Sequence, residues 1–351
     1  MRGRLMLTAS WLACGLPERP LYALAELLGE LWYRLTPGRA AQARRNLRRV
    51  VGALAETGRG SAAVRAAATD PRALERLVRS AYHHAARYYV EVARNPSVTP
   101  AFVDERLALD TPELIAEAVV PGKAVLFVGL HFGSVELAVI FLAFRVGETV
   151  TPMETIDDAG LQAYFERTRG VAGIRLVGLR EARRALTDAL RNGIPVGLVG
   201  DRDLTGGGTE IPLFGHPALM PMGPAMLAVE TGVPTYAMTV RRAGEGRFRG
   251  KIVPIEVPAD GTRRERVTTT MTRLAAAFEE LIADAPDQWW AVFFPIWPDL
   301  EAGATAVAVE SSGPSGTRPA EAGATGTADP GPNDGAPEGA PADPGAKGAA
   351  A

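Results

Sequence analysis

The chain has one cysteine, Cys14, in 351 residues. That excludes a disulfide scaffold and any zinc site built on paired thiolates. Lysine occurs only at Lys123, Lys251 and Lys347, so 35 of the 38 basic residues are arginine. No stretch approaches the roughly 18 uninterrupted apolar residues of a spanning helix, which excludes a polytopic membrane protein. No internal repeat is present. There is no Gly-x-Ser-x-Gly elbow, no Walker loop, and no Gly-x-Gly-x-x-Gly after a strand. Neither an aromatic-basic platform nor a recognition-helix pattern appears, so no nucleic-acid partner is expected. What the chain does have is a 47% hydrophobic content, enough for a sizeable core.

The formal net charge of −2 hides an asymmetry. Residues 301–351 hold seven acids and two bases, together with ten Gly and seven Pro. Such a segment cannot bury enough apolar area to offset chain entropy, and it reads as a disordered tail. Residues 1–65 hold eleven arginines against four glutamates, a balance that suits anionic lipid. Leu21, Leu24, Leu27, Leu28, Leu31, Trp32 and Leu35 recur at helical spacing there, flanked by Arg34, Arg39, Arg44, Arg45, Arg48 and Arg49. We read residues 1–50 as amphipathic helices lying at a membrane surface, with Trp11 and Trp32 as interfacial anchors. A short signal peptide ending near Cys14 is the weaker alternative, because the helical pattern runs on past it.

Residues 72–95 read as a helix carrying His83 and His84. Adjacent helical histidines diverge, so both are taken as structural. From Lys123 onward, apolar strand-like runs alternate with helical segments. Strands are expected at 124–129, 149–155, 174–179, 195–200, 234–240, 251–257 and 289–294. Helices are expected at 133–145, 161–169, 181–192, 223–232 and 263–285. The alternation predicts an α/β fold with a mostly parallel sheet flanked by helices. One domain over 1–300 followed by the tail is the simplest division.

Active sites of open α/β sheets lie beyond the carboxyl ends of strands. Two expected strand ends carry reactive side chains: His131, and the run Asp201-Arg202-Asp203. After His131, Gly133 permits a sharp turn, and Glu136 falls in the first turn of the next helix, where the macrodipole favours a carboxylate. A carboxylate folding back to the imidazole would make His131 a general base. A capped helix beside a histidine that merely satisfies a carbonyl fits the same spacing.

His-x-x-x-x-Glu directly after a buried strand resembles the signature of glycerolipid-type acyltransferases. The wider layout is similar to the branch that acylates lipid A precursors, and within it to the phosphatidylinositol mannoside acyltransferases. The resemblance covers roughly residues 5–300. It rests on Arg44-Arg45-Asn46-Leu47, on Leu130-His131-Phe132-Gly133 with Glu136, and on Gly200-Asp201-Arg202-Asp203-Leu204. Thr209-Glu210-Ile211 with Phe214-Gly215, and Met220-Pro221 with Gly223-Pro224-Ala225, complete it.

The resemblance implies transfer of a long acyl chain, palmitoyl by expectation, from acyl-CoA to a mannose hydroxyl of a phosphatidylinositol mannoside. It implies a peripheral protein at the cytoplasmic face of the cell membrane, with acyl-CoA as co-substrate and no cofactor or metal. Carried over by position, His131 would be the base, and Glu136 and Glu210 would compete to orient it. Backbone amides around Gly133, or Arg202, would receive the oxyanion. Arg202, Asp201 and Arg169 would meet phosphate or headgroup, and Phe132 and Phe214 would wall an acyl groove. Two rivals remain. Asp201-Arg202-Asp203 has the Asp-x-Asp shape of a metal-dependent nucleotide-sugar glycosyltransferase, and the basic N-terminus alone would suit a non-catalytic membrane-binding protein.

Overall fold

The computed structural model describes residues 2–203, 206–244 and 246–301. The expectation of a disordered tail lies, from residue 302 on, outside the described residues. Five helices come first: α1 (Arg2–Gly15), α2 (Glu18–Leu35), α3 (Pro37–Glu56), α4 (Ala62–Ala66) and α5 (Pro71–Arg94). The sheet follows, interleaved with α6 (Pro100–Arg106), α7 (Pro112–Ala118), α8 (Val135–Val146), α9 (Ala159–Arg169), α10 (Leu179–Arg191) and α11 (Gly223–Thr231). The last long helix is α12 (Arg263–Ala283). Local chemistry sets several of these boundaries. Asp70 caps α5 by accepting from the Arg72 amide, with Pro71 at the first helical position. Thr262 and Glu265 close α12 with a reciprocal capping box.

The described residues form nine strands: β1 (Leu107–Leu109), β2 (Leu126–Gly129), β3 (Thr149–Met153), β4 (Ile174–Gly178), β5 (Val196–Val199), β6 (Thr209–Leu213), β7 (His216–Met220), β8 (Thr235–Arg242) and β9 (Phe248–Ile255). Seven make one sheet in the order β1-β9-β8-β2-β5-β3-β4, while β6 and β7 form a separate hairpin. Every pairing in the large sheet is parallel except β8 with β9. The expected mostly parallel α/β sheet is therefore what the chain forms.

Strand β2 lies at the centre and is buried on both faces. Its alternate residues enter different cores. Leu126 and Val128 join Leu47, Val50 and Tyr82 on the side of α3, α5 and α12. Phe127 joins Leu137, Ile140 and Leu142 of α8 on the other. This is why the strand reads as a continuous apolar run rather than an alternating one.

Three expectations change here. Residues 289–294 were expected as a strand, but Trp290–Phe293 is a 3-10 turn, and Trp289 makes one isolated bridge to Phe132. A short apolar run reports burial, which a turn under the sheet's edge satisfies equally well. Helix α3 is a core helix, with Ala43, Leu47, Val50, Val51 and Leu54 fully buried. Its arginines are largely engaged within the protein: Arg44 with Glu75 at 2.7 Å, Arg45 with the Leu300 carbonyl at 2.9 Å, and Arg49 with Asp299 at 2.8 Å. Trp32, expected to stand as an interfacial anchor, is half-buried and packs edge-on against Tyr82, 5.2 Å between ring centroids.

The exposed apolar surface lies instead on α1 and α2. Leu5, Trp11, Leu12, Leu24, Leu27, Leu28, Leu31 and Leu35 all stand in solvent, Trp11 at 74% and Leu35 at 70%. No helix among the described residues is long and apolar enough to cross a membrane.

Candidate active site

Strands β2 and β5 are adjacent and parallel, with Gly129 paired to Val199. Two residues beyond each of these partners stand His131 and Asp201, so sheet register alone brings them level. Glycine at 200 is required there, because an added Cβ would meet Val128 and Pro224 at 2.8 and 3.1 Å. The His131 imidazole Nδ1 and Asp201 Oδ1 lie 2.7 Å apart. Asp201 Oδ2 accepts from the His131 amide at 2.9 Å and from the Trp289 indole at 2.7 Å. Burial pushes the Asp201 carboxyl up, but the positive charge and hydrogen bonds of His131, with the Trp289 bond, hold it below the usual aspartate range. With Nδ1 committed to Asp201, Nε2 is the ring's proton-accepting nitrogen. The His131 side chain keeps 13% of its surface exposed, against 1% for Asp201.

Neither Glu136 nor Glu210 hydrogen-bonds the imidazole, contrary to the sequence-based expectation. Glu210 lies on β6, whose side chains alternate outward and inward. Ile211 and Leu213 are buried and Glu210 is turned to solvent. Glu136 is drawn the other way. Its Oε1 accepts from the Tyr88 hydroxyl at 2.6 Å and from Arg169 Nε at 3.1 Å. Arg169 Nη2 also donates to the Tyr88 oxygen at 3.0 Å, which closes the ring of contacts. Burial, and then the Glu136 charge, push the Tyr88 phenol well up, so it stays a donor. Glu136 Oε2 is buried and has no partner.

The loop after His131 is tightly held. Gly133 has φ of +53°, and a Cβ there would run into the Val240 carbonyl. Its amide donates to the Gln288 carbonyl at 3.0 Å, and the Ser134 amide donates to Val240 at 2.8 Å. The Phe132 amide turns back to Leu130 at 2.7 Å. These three amides are spent and are not available to an oxyanion, again contrary to expectation. Trp290 is the neighbour that sequence reasoning missed. Its ring meets the imidazole edge-on, 4.5 Å between centroids, and its indole Nε1 is buried without an acceptor. The buried Asn46 fixes this segment from below by donating to the Val292 and Phe294 carbonyls, both at 2.8 Å.

The imidazole opens onto a cavity of about 400 Å³ between α8 and strands β3, β4 and β5. Val139, Ile140, Leu176, Leu198 and Met238 give it apolar walls, and Glu136, Glu154, Arg169 and Arg202 line it as well. Arg202 stacks on Phe294, 3.5 Å from its guanidinium carbon to the ring centroid. Phe132 and Phe214, expected as acyl walls, are buried in the core instead. Phe214 occupies the β6–β7 turn with φ of +51°, its amide on Glu279 at 2.5 Å. A larger cleft of about 1040 Å³, beside the start of α2, holds no imidazole. There Arg87 pairs with Glu26, Arg106 with Glu18 and Arg242 with Glu91. Asp201 and Asp203 do not converge on a shared ion: Asp203 accepts from the Gly206 and Gly208 amides at 3.1 and 2.7 Å. Among the described residues no group of three His, Cys, Asp or Glu side chains could hold a metal.

A strand-end imidazole thus rests on a buried aspartate and opens onto a cavity with apolar walls. Residues 4–294 match the family described as bacterial lipid A biosynthesis acyltransferase, and the chain belongs to that family. It is 28% identical to a phosphatidylinositol mannoside acyltransferase of Mycolicibacterium smegmatis, over 73% of this chain and 79% of that protein. It is 30% identical to one of Mycobacterium tuberculosis, over 72% of this chain and 75% of that protein.

Proposed function

We infer that the protein transfers a long fatty acyl chain, palmitoyl by preference, from acyl-CoA to a mannose hydroxyl of a phosphatidylinositol mannoside. The observation that carries this is the 2.7 Å His131–Asp201 contact at the head of an apolar-walled cavity. A sugar hydroxyl is too weak an acid to attack a thioester unaided at neutral pH. His131 Nε2 takes its proton as the oxygen bonds to the thioester carbon, and Asp201 stabilises the resulting imidazolium. The tetrahedral intermediate then collapses. Its C–S bond breaks, CoA leaves as thiolate, and the proton on His131 passes to that sulfur. No covalent acyl-enzyme and no redox step is needed.

One donor stands beside the imidazole for the oxyanion: the Trp290 indole N–H, which has no acceptor. One such donor is worth about 3–4 kcal/mol in the transition state. The apolar walls suit the acyl chain. Glu136 Oε2, lacking a partner, suits a hydroxyl of the sugar. The exposed leucines of α1 and α2 suit a peripheral position on the cytoplasmic leaflet, where the glycolipid would be met. A metal-dependent glycosyltransferase is disfavoured because the Asp201 oxygens are already taken by His131 and Trp289.

The test is transfer of radiolabelled palmitate from palmitoyl-CoA to purified mannosylated phosphatidylinositol. Wild-type protein should form the acylated lipid without added metal. His131→Ala should lose the reaction by about a thousandfold or more with an unchanged melting temperature. Unaltered transfer by that variant would remove His131 as the base. No palmitate transfer, with Mn²⁺-dependent transfer of a sugar from a nucleotide-sugar to the lipid in its place, would favour the glycosyltransferase class.

A further inference from the structure

We propose that Arg39 and Arg202, gathered on the ring of Phe294, form a receiving site for the phosphodiester of the lipid acceptor at the membrane-side rim of the cavity. The proposal rests on the acyl-transfer reading of that cavity and adds to it a residue from outside the strand ends. The Arg39 guanidinium carbon lies 5.5 Å from the Phe294 centroid and that of Arg202 lies 3.5 Å from it. Arg39 also stands 5.8 Å from the Trp32 ring. The Phe294 backbone is fixed by Asn46, so the platform is rigid.

Among the described residues, no carboxylate hydrogen-bonds or ion-pairs with either guanidinium. The nearest acids acting on Arg202 are Asp201, committed to His131, and Glu154 at longer range. Arg39 sits in the first turn of α3, where the helix dipole disfavours a cation and no acid offsets it. Arg202 is half-buried, and both burial and Arg39 work against its charge. Most other cations near this end of the fold have partners: Arg34 with Glu30, Arg44 with Glu75, Arg49 with Asp299. Two guanidiniums on one ring, neither carrying a carboxylate, suit an anion with several acceptor oxygens, and phosphate oxygens match guanidinium geometry.

Either substrate could supply that phosphate, as the lipid's diester or as the phosphates of CoA. Position favours the lipid. Arg39 lies four residues past the end of α2, where Leu31 and Leu35 are exposed at 49% and 70%. An arginine next to leucines that enter the interface lies at the depth of headgroup phosphates.

The experiment compares wild type with Arg39→Gln and Arg39→Lys in two assays. In the kinetic assay, Arg39→Gln should raise the KM for mannosylated phosphatidylinositol about tenfold, with kcat and melting temperature little changed. Arg39→Lys should fall between. The penalty should persist when palmitoyl-CoA is replaced by palmitoyl-N-acetylcysteamine, a thioester without phosphate. A rise in the donor KM that vanishes with this thioester would overturn the lipid assignment and give the phosphate to CoA. In the binding assay, the fluorescence of the five tryptophans, with Trp32 and Trp290 nearest the site, is followed during titration with glycerophosphoinositol or with CoA. Glycerophosphoinositol should bind wild type about tenfold tighter than Arg39→Gln. Equal binding by both proteins overturns the site. Because this assay needs no turnover, it separates failure of the site from failure of the acyl-transfer reading.

Discussion

His131 and Glu136 are five residues apart, yet they belong to hydrogen-bond systems of different character. The first is set by the sheet. Asp201, the Trp289 indole and the amides of 131–134 are each engaged, and strand register fixes the distances. The second is set by side chains from three helices: Tyr88 of α5, Glu136 of α8 and Arg169 of α9. It leaves one carboxylate oxygen buried and unmatched. A satisfied, register-fixed system can hold a base in one orientation through a reaction cycle. A system with an orphan acceptor has room for one more donor. Under the proposed function, His131 is the motif's reacting end and Glu136 its receiving end.

That division can be broken by Glu136→Gln. We expect the KM for the mannosylated acceptor to rise about tenfold while kcat stays within about threefold, because the change touches binding and not the proton path. A collapse in kcat at constant KM would place Glu136 in the relay and erase the contrast.

A smaller effect concerns His84, which packs behind the site 3.7 Å from Asp287. Burial, then the nearby Arg242 charge, push its imidazole down to about 4. An unfolded histidine titrates near 6.5, so unfolding takes up a proton between those values. The His84 contribution is therefore full above about pH 6.5 and is lost as pH falls towards 4, on the order of 3 kcal/mol across the window. Melting temperatures measured from pH 7 to 4 should fall, and His84→Gln should flatten the fall. A slope identical in the two proteins would show that His84 is not the group responsible.

Much of the sheet was legible because β2 and β5 are short apolar runs ended by residues with reactive side chains. The strand ends were therefore visible, and so were His131 and Asp201 as residues of interest. Their pairing was not. Strands β3 and β4 lie between β2 and β5 in the chain, and no local pattern says that β5 returns beside β2 in register. Asp201 was accordingly taken for a substrate ligand while Glu136 and Glu210 were given its task. Glu210 had a usable signal in the alternation Glu210, Ile211, Pro212, Leu213, which puts it on the polar face of a hairpin. Asn46 stood in a recognised segment, but its hydrogen bonds to residues 246 and 248 positions away have no local trace. Trp290 and Arg39 escaped for the same reason: each acts on a ring that chain folding alone brings near.

The orienting role of Asp201 is tested most directly by the turnover of Asp201→Asn beside Glu210→Gln, with melting temperatures recorded for both. With Asp201 holding Nδ1, Asp201→Asn should lower kcat by about a thousandfold at nearly constant KM, and Glu210→Gln should match wild type. Wild-type turnover in a folded Asp201→Asn protein, or a comparable loss in Glu210→Gln, would contradict the assignment.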